Sequence, residues 1–230
     1  MAEYKFLVAS SQTPACEWSF WSPCFPKNDQ AGAWKIMVPK LELGNQPDFF
    51  REVVFNQILN KNMRRVLVIG SGGAGKSTFS AKLGLKLGLP VLHLDAYFWS
   101  TGWVESDKAE WRQTVGRLTV QDAWIMDGNY GGTLDIRLAA CDTVIFLDRP
   151  RLLCLWRVVL RRLRFHGRTR PNMSQGCNEQ LTWEFIRYVW GYPSTRKPRI
   201  LTRLSALSDD KQIIVLKTQR QMDVFLMGLK

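Results

Sequence analysis

Short runs of consecutive apolar residues alternate with longer segments of helical periodicity over residues 63–230. Uninterrupted apolar runs are typical of strands that are buried on both faces of a parallel sheet. We predict five such strands, at 66–70, 91–95, 124–127, 143–148 and 213–216. Amphipathic patterns predict helices at 76–88, 107–120, 179–190, 196–207 and 219–229, with a long basic helix from about residue 150. This alternation predicts an α/β fold with a doubly wound five-stranded parallel sheet, and a ligand at the carboxyl ends of its strands.

Residues 1–62 have a different pattern. Five prolines divide this segment, and helical periodicity is confined to a short amphipathic run at 49–59. Met63 stands directly before the first predicted strand. We therefore predict an N-terminal extension of uncertain order over 1–62 and a folded domain over 63–230.

The segment from Gly70 to Ser77 reads GSGGAGKS, which is the P-loop pattern G-x-x-x-x-G-K-[ST] between a strand and a helix. Its glycines let backbone N–H groups turn around an anion, and the following helix adds positive charge at its N-terminus. Lys76 is expected to reach the phosphates of ATP, and the Ser77 hydroxyl is expected to ligate Mg²⁺. The predicted nucleotide-binding residues are Gly70, Gly72, Gly73, Ala74, Gly75, Lys76, Ser77, Thr78 and Arg157. The fold is therefore predicted to be that of a P-loop NTPase.

Three predicted strands end on a carboxylate, at Asp95, Asp127 and Asp148. In a parallel sheet all three would lie at the edge where the P-loop lies. We predict that Asp127 anchors Mg²⁺ through water and that Asp95 orients, or takes a proton from, an acceptor hydroxyl. The structural alternative is that these carboxylates cap the following turns, and we favour it for Asp148.

Eight arginines lie within 149–170, and no acidic residue interrupts them. Arg157, Arg161 and Arg164 share one helix face, so they could converge on phosphates. We predict an arginine-rich lid at about 157–178, with Arg161, Arg164 and Arg168 stabilising the charge of the transferring group. Because such dense like charges repel each other, the lid is expected to be open and mobile without nucleotide and to close when triphosphate and Mg²⁺ neutralise it. The alternatives are a solvated basic face and a nucleic-acid patch over 149–170.

Aromatic residues surround the second predicted strand. Trp99 and Trp103 are candidates for the wall of an acceptor pocket, with core packing an equal alternative. Trp111 has the spacing of a core residue, and His93 is interpreted as a core histidine because it lies within an apolar strand.

Composition excludes several classes of protein. No apolar run approaches the length of a membrane span, and no export signal is visible. The five cysteines form no C-x-x-C pair, which argues against a structural zinc site or a disulfide framework and favours a cytoplasmic enzyme. The formal charge is +12, and all of the excess lies in residues 63–230, so polyanions are expected partners. The oligomeric state is left open.

The chain resembles the bacterial topology modulation proteins, a branch of the adenylate-kinase-like P-loop kinases. The resemblance covers 63–230 and rests on GSGGAGKST, HLDAYFWSTGW, WIMDGNYGGTLDIRL, DTVIFLDRPR and RRLRFHGRTRPNMSQGCNEQLTWEF. It implies a core of nucleoside-monophosphate-kinase type with a helical lid at about 157–178, and it matches Asp127 to the acidic residue of the second phosphate-site strand. Asn172 departs from the branch, in which an acid is expected. The branch name refers to an effect on DNA topology and identifies no phosphoryl acceptor.

Taken together, these features predict a kinase that transfers the γ-phosphoryl group of ATP, with Mg²⁺, to a small-molecule or nucleotide acceptor. The alternative is a nucleic-acid-binding NTPase or regulator that affects DNA topology. A weaker alternative is a nucleotide sensor that signals to a partner through lid closure. The strand-end carboxylates favour the kinase, and no DNA-reading module is evident.

Overall fold

The computed structural model describes residues 63–208 and 210–229, and the predicted extension over 1–62 lies outside them. The strands in this part are β1 Arg65–Gly70, β2 Val91–His93, β3 Trp99–Ser100, β4 Val104–Glu105, β5 Trp124–Asp127, β6 Thr143–Leu147 and β7 Gln212–Leu216. The helices are α1 Lys76–Leu87, α2 Leu94–Phe98, α3 Lys108–Thr119, α4 Leu134–Ala140, α5 Arg151–Arg164, α6 Trp183–Thr195, α7 Lys197–Ser205 and α8 Gln219–Gly228, with a 3-10 turn at Gly131–Thr133.

One sheet contains five of these strands, in the order β2-β5-β1-β6-β7, and every neighbouring pair is parallel. β1 lies at the centre of the sheet. The chain then forms the two strands on one side of β1, β2 and β5, before the two on the other side, β6 and β7. The carboxyl end of β1, where this order reverses, is where such sheets bind their ligands. The P-loop leaves β1 at that point. The predicted α/β fold with a doubly wound five-stranded parallel sheet is confirmed.

The side chains of β1 alternate between the two faces of the sheet, so each face is apolar and is covered by helices. Val66 and Val68 point to a core that also contains residues of α1, α5 and α8: Phe79, Leu83, Cys154, Val158 and Phe225. Leu67 and Ile69 point to the opposite core, which contains residues of α3, α4 and α7: Trp111, Val115, Leu138 and Leu204. The prediction that Trp111 is a core residue is confirmed. Two complete cores hold the carboxyl edge of the sheet in place.

Capping residues fix the helix ends that the sequence predicts well. Asp107 precedes α3, and its carboxylate accepts hydrogen bonds from the N–H groups of Ala109 and Glu110. Gly88 ends α1 with a positive φ of 65°. Both ends lie within about one residue of the expected position, which is the ordinary uncertainty of helix boundaries.

Among the elements that differ from the expectation, two lie next to the site. The predicted strand at 91–95 ends at His93, and Asp95 lies instead in the first turn of α2. The error has a physical reason: Leu94 is fully buried in the core, so the apolar run continues although the backbone has already turned. The short helix α4 is not predicted at all, because it follows two glycines and spans only seven residues. Among the described residues, no helix combines the length and the apolar character needed to cross a membrane.

Candidate active site

The P-loop adopts a conformation that favours glycine at several positions, among them Gly73 and Gly75. Gly73 has a φ of 77° and Gly75 a φ of 97°, which other residues adopt at a cost. A Cβ on Gly73 would also lie 2.2 Å from the carbonyl oxygen of Cys154 in α5. Gly75 caps α1 without a side chain, so the helix begins with N–H groups that a bound anion can use.

Lys76 begins α1 and folds back over the loop. Its Nζ donates hydrogen bonds to the carbonyl oxygens of Gly70 and Ser71, both at 3.0 Å. Burial lowers the pKa of Lys76, while the negative charges of Asp95 and Asp127 act in the opposite direction. The ammonium group is therefore held over the loop, within the electrostatic influence of both carboxylates.

The loop after β5 is joined to the P-loop through Asn129. The Asn129 side-chain oxygen accepts from Gly70 N at 3.1 Å, and its Nδ2 donates to Gly70 O at 2.7 Å. The same Nδ2 donates to the hydroxyl of Tyr188 at 2.7 Å. One side chain thus fixes the start of the P-loop to α6. Sequence reasoning missed Asn129, although it stands two residues after Asp127 in DGNY.

Arg137 fixes the loop after β5 from inside the fold. Its fully buried guanidinium donates to four carbonyl oxygens, at Gly128, Asn129, Tyr130 and Thr133. Burial lowers the pKa of Arg137 to about 10. Five N–H donors in a rigid plane can satisfy such a loop with one residue. The sequence gives no signal for this role, because Arg137 lies in a segment that reads as solvent-facing.

Asp127 ends β5 and is buried, with 4% of its surface exposed. Its Oδ1 lies 2.9 Å from Nδ1 of His93, and this hydrogen bond raises the pKa of His93. His93 therefore has a partner inside the site, not in the apolar core that the sequence suggests. Asp127 and the Ser77 hydroxyl line the same cavity and offer the oxygen ligands that Mg²⁺ prefers. These residues fit the predicted metal ion.

Asp95 also faces the cavity, although it lies in a helix and not at a strand end. The Tyr130 hydroxyl donates to its Oδ1 at 2.5 Å. Burial, with the charge of Asp95, raises the pKa of Tyr130, so this phenol stays a neutral donor. The Tyr130 ring packs at 4.8 Å from Phe98 and 5.0 Å from Trp111. Asp95 is thus oriented by a side chain that the core holds in place.

The lid arginines have partners of their own. Arg157 donates to the Ala74 carbonyl oxygen at 3.3 Å and so reaches the P-loop. Glu179, 3% exposed, lies between two guanidinium groups, at 2.7 Å from Arg161 Nε and 2.6 Å from Arg170 Nε. Burial and the charge of Arg170 lower the pKa of Arg161. The repulsion expected from dense like charges is therefore offset by an acid just beyond the arginine segment.

The remaining part of the predicted lid contacts the β3–β4 hairpin and α2. The indole N–H of Trp103 donates to Asn178 O at 2.8 Å, and the Ser174 hydroxyl donates to Ala96 O at 2.7 Å. Gly102 N donates to Gly176 O at 3.3 Å. Residues 165–182 thus form the connection from α5 to α6 and lie against this hairpin.

A cavity of about 1490 Å³ brings most of the predicted site residues together. It is lined by Gly72, Gly73, Gly75, Lys76, Ser77, Thr78, Asp95, Asp127, Arg157, Arg161 and Arg164. Trp99, Trp103 and Asn172 line it too. Gly70 and Ala74 are buried in the loop behind this lining. Arg168 is exposed and lies outside the lining, whereas Arg170, another arginine of the predicted lid, lies within it. Asp148 is not part of this lining and binds Lys197 Nζ at 2.8 Å, a contact that neither a catalytic role nor the capping alternative predicts.

The basic segment does not form a continuous outward face. Arg149 is buried and donates to Lys217 O, and Arg157 reaches the P-loop. Arg161 and Arg170 bind Glu179. Half of the eight arginines are therefore turned inward, and the predicted nucleic-acid surface gains no support from the structure.

Comparisons with known proteins found similarity to solved structures at low sequence identity. The scan against protein-family models found no match, and the search of curated proteins found none. A shikimate kinase from Bacteroides thetaiotaomicron is 18% identical, with a TM-score of 0.45, over 73% of this chain and 96% of that one. A shikimate kinase from Acinetobacter baumannii in complex with shikimate is 17% identical, with a TM-score of 0.49, over 75% and 93%. A gluconokinase from Sinorhizobium meliloti 1021 is 14% identical, with a TM-score of 0.42, over 74% and 93%.

At such identities the likeness concerns the fold. The fold assignment itself rests on the strand order and the P-loop, and the function must be argued from the chain's own residues. The comparisons give no support to the narrower resemblance to topology modulation proteins, which stays a prediction.

Proposed function

We propose that the chain transfers the γ-phosphoryl group of ATP, with Mg²⁺, to a small-molecule or nucleotide acceptor. One observation carries the proposal: the P-loop with Lys76 and the two carboxylates Asp95 and Asp127 face a single cavity. A site that only bound nucleotide would need the loop and a magnesium ligand. The additional carboxylate, oriented by Tyr130, supplies what phosphoryl transfer to a hydroxyl requires.

On the donor side, the loop and the first turn of α1 would hold the phosphates through N–H groups, with Lys76 and Arg157 as cations. Ser77 and Asp127 would hold Mg²⁺, Asp127 through water. The ion would neutralise phosphate charge. Lys76 exchanges its two carbonyl partners for phosphate oxygens at little cost, because its position over the loop is already fixed.

On the acceptor side, Asp95 takes the proton of the acceptor hydroxyl as that oxygen forms a bond to the γ-phosphorus. The bond from the γ-phosphorus to the bridging oxygen breaks, and ADP leaves with the electron pair. Arg161 and Arg164, which line the cavity, supply positive charge near the transferring group. Arg168 would contribute only after a movement of the lid.

The finer classification follows from the sequence motifs. We propose the adenylate-kinase-like type and its topology modulation branch, and a cytoplasmic location, with the three free cysteines at 141, 154 and 177 as support for the last. None of these refinements identifies the acceptor.

Replacement of Lys76 tests the proposal directly. Lys76→Ala should lower ATP turnover by at least about 10²-fold while the fold is retained, because a transition-state cation is lost. Lys86→Ala, a change on the exposed last turn of the same helix, is the matched control and should keep full turnover. Turnover is measured as ADP release across a panel of nucleosides, nucleotides and common metabolites. Equal turnover in wild type and a folded Lys76→Ala protein would contradict the assignment.

A further inference from the structure

Three arginines, one directly before α7 and two within it, form a row that faces the cavity. Arg196 immediately precedes the helix, and Arg199 and Arg203 follow at intervals of three and four residues, so they share one helical face. All three line the cavity that contains the P-loop, and all three are exposed. We call them the α7 arginine row.

The members of the row lack the carboxylate partner that several other cations of the described residues have. Lys197 binds Asp148 and Arg112 binds Asp135, while Arg161 and Arg170 share Glu179. Within residues 63–208 and 210–229, no ion pair involves any member of the row. Three unneutralised guanidinium groups on one face repel each other, and an anion is the ligand that relieves this repulsion.

Arg203 connects the row to the loop after β5, next to the residues that we propose act on the acceptor hydroxyl. Arg203 donates to the carbonyl oxygen of Gly131 at 3.0 Å, directly after Tyr130, which holds Asp95. At the other end, the Arg196 guanidinium lies 5.8 Å from the Tyr188 ring, whose hydroxyl accepts from Asn129. The row is therefore linked to the loop after β5 at both ends, directly through Arg203 and through Tyr188 at Arg196. Arg199 lies between these two ends.

We propose that the α7 arginine row binds an anionic group of the phosphoryl acceptor, a carboxylate or a phosphate, and so places the acceptor hydroxyl toward Asp95. This inference rests on the proposed function and adds the chemical class of the acceptor. The phosphates of ATP already have their own cations in Lys76 and Arg157, at the P-loop. The row borders a different loop, so a second anion is the simplest occupant.

The arrangement has a consequence for specificity. Guanidinium groups bind carboxylates and phosphates through paired N–H donors, which a neutral hydroxyl cannot replace. A site built around charged donors rejects a neutral analogue, because binding would leave those donors without partners. Neutral sugars and nucleosides should therefore be poor acceptors beside their acidic counterparts.

The test uses matched sets of ligands that differ only in charge: glucose, gluconate and glucose 6-phosphate, and a nucleoside with its 5′-monophosphate. Binding to the full chain is measured by calorimetry with the donor site saturated by a non-hydrolysable ATP analogue and Mg²⁺. We expect the anionic members to bind at least about 10-fold more tightly than the neutral ones. The sugar acid and the phosphates distinguish a carboxylate ligand from a phosphate ligand.

A variant assigns the effect to the row. Arg199→Gln removes the positive charge and keeps a polar side chain at a solvent-exposed position, and it should weaken binding of the preferred anion about 10- to 100-fold. Binding of the ATP analogue should stay unchanged, and Lys86→Gln should change neither. Equal binding of neutral and anionic members, no binding of any anionic member, or an unchanged affinity in Arg199→Gln would each overturn the inference.

The outcome separates this inference from the proposed function. Anion binding that depends on Arg199, without transfer of phosphate to any ligand, would support the row and contradict the kinase assignment. Transfer to neutral acceptors with equal efficiency would support the kinase and overturn the row.

Discussion

Cys141 shows how burial of one side chain couples stability to pH. It is 2% exposed and follows α4, where burial raises the pKa of its thiol to about 11. The unfolded chain loses this proton near the ordinary thiol pKa of about 8.5, whereas the folded chain keeps it. The folded state therefore binds more protons between these values, and its stability falls as pH rises through that window.

We predict that Cys141→Ala removes this component. The wild type should lose on the order of 2 kcal/mol more unfolding free energy than the variant between pH 8 and pH 10.5. Denaturant unfolding at the two pH values, with thiols kept reduced, measures the difference. The variant is its own control for tyrosine and lysine titrations, which both proteins share. Parallel losses in the two proteins would refute the role of this thiol.

At the scale of residues, the sequence predicts a functional group where a motif fixes both residue type and spacing. Lys76 and Ser77 belong to such a motif, and the structure places both at the cavity. Arg137 and Glu179 are single polar residues in segments that read as solvated, and their burial depends on distant partners. Tertiary structure creates those roles, so local pattern does not contain them.

The lid connection between α5 and α6 depends on one buried carboxylate. The sequence predicts a lid that is open and mobile without nucleotide, because its arginines repel each other. The structure adds Glu179, whose single buried carboxylate lies between Arg161 and Arg170 and offsets part of their charge. Removing one member of a buried ionic group is strongly destabilising, because charges are left uncompensated.

We therefore predict that Glu179→Gln loosens this element. Amide hydrogen exchange over 165–182 should accelerate by about 10-fold or more, while β1 and β6 keep their protection, because the change affects local opening only. ATP and Mg²⁺ should slow exchange in the same segment by supplying phosphate to the freed arginines. Glu184→Gln, an exposed change on α6, is the control. Unchanged exchange over 165–182, or an equal acceleration throughout the sheet, would count against the prediction.

At the scale of elements, the sequence predicts the end of a helix correctly where a capping residue occupies it. Asp107 and Gly88 mark the ends of α3 and α1. The end of β2 has no such marker, because Leu94 is buried whether the backbone continues as a strand or turns into α2. The misplacement of Asp95 follows from this ambiguity, yet its side chain still reaches the predicted edge of the sheet.

The domain over 63–230 is expected to function without residues 1–62 of the chain. The described residues supply both cores and all of the predicted site residues. A protein that starts at Met63 should therefore unfold cooperatively and turn over ATP within about 2-fold of the full chain. Circular dichroism melting and ADP release compare the two proteins, and Lys76→Ala in both backgrounds controls for contaminating activity. Aggregation of the shortened protein would show that 1–62 cover part of its surface.

The central place of β1 also determines when this site can first exist during synthesis. β1 is the first strand made in this sheet, yet its two neighbours are β5 and β6, which end at residues 127 and 147. At about 5–20 residues per second, the ribosome needs on the order of 4–15 seconds to produce both after β1. Until β5 and Asn129 have been made, the apolar strand β1 has no strand to pair with and the Gly70 amide lacks its acceptor. Long-range pairing of this kind folds slowly and exposes the nascent chain to aggregation. The nascent chain is therefore expected to depend on chaperones until β6 has emerged.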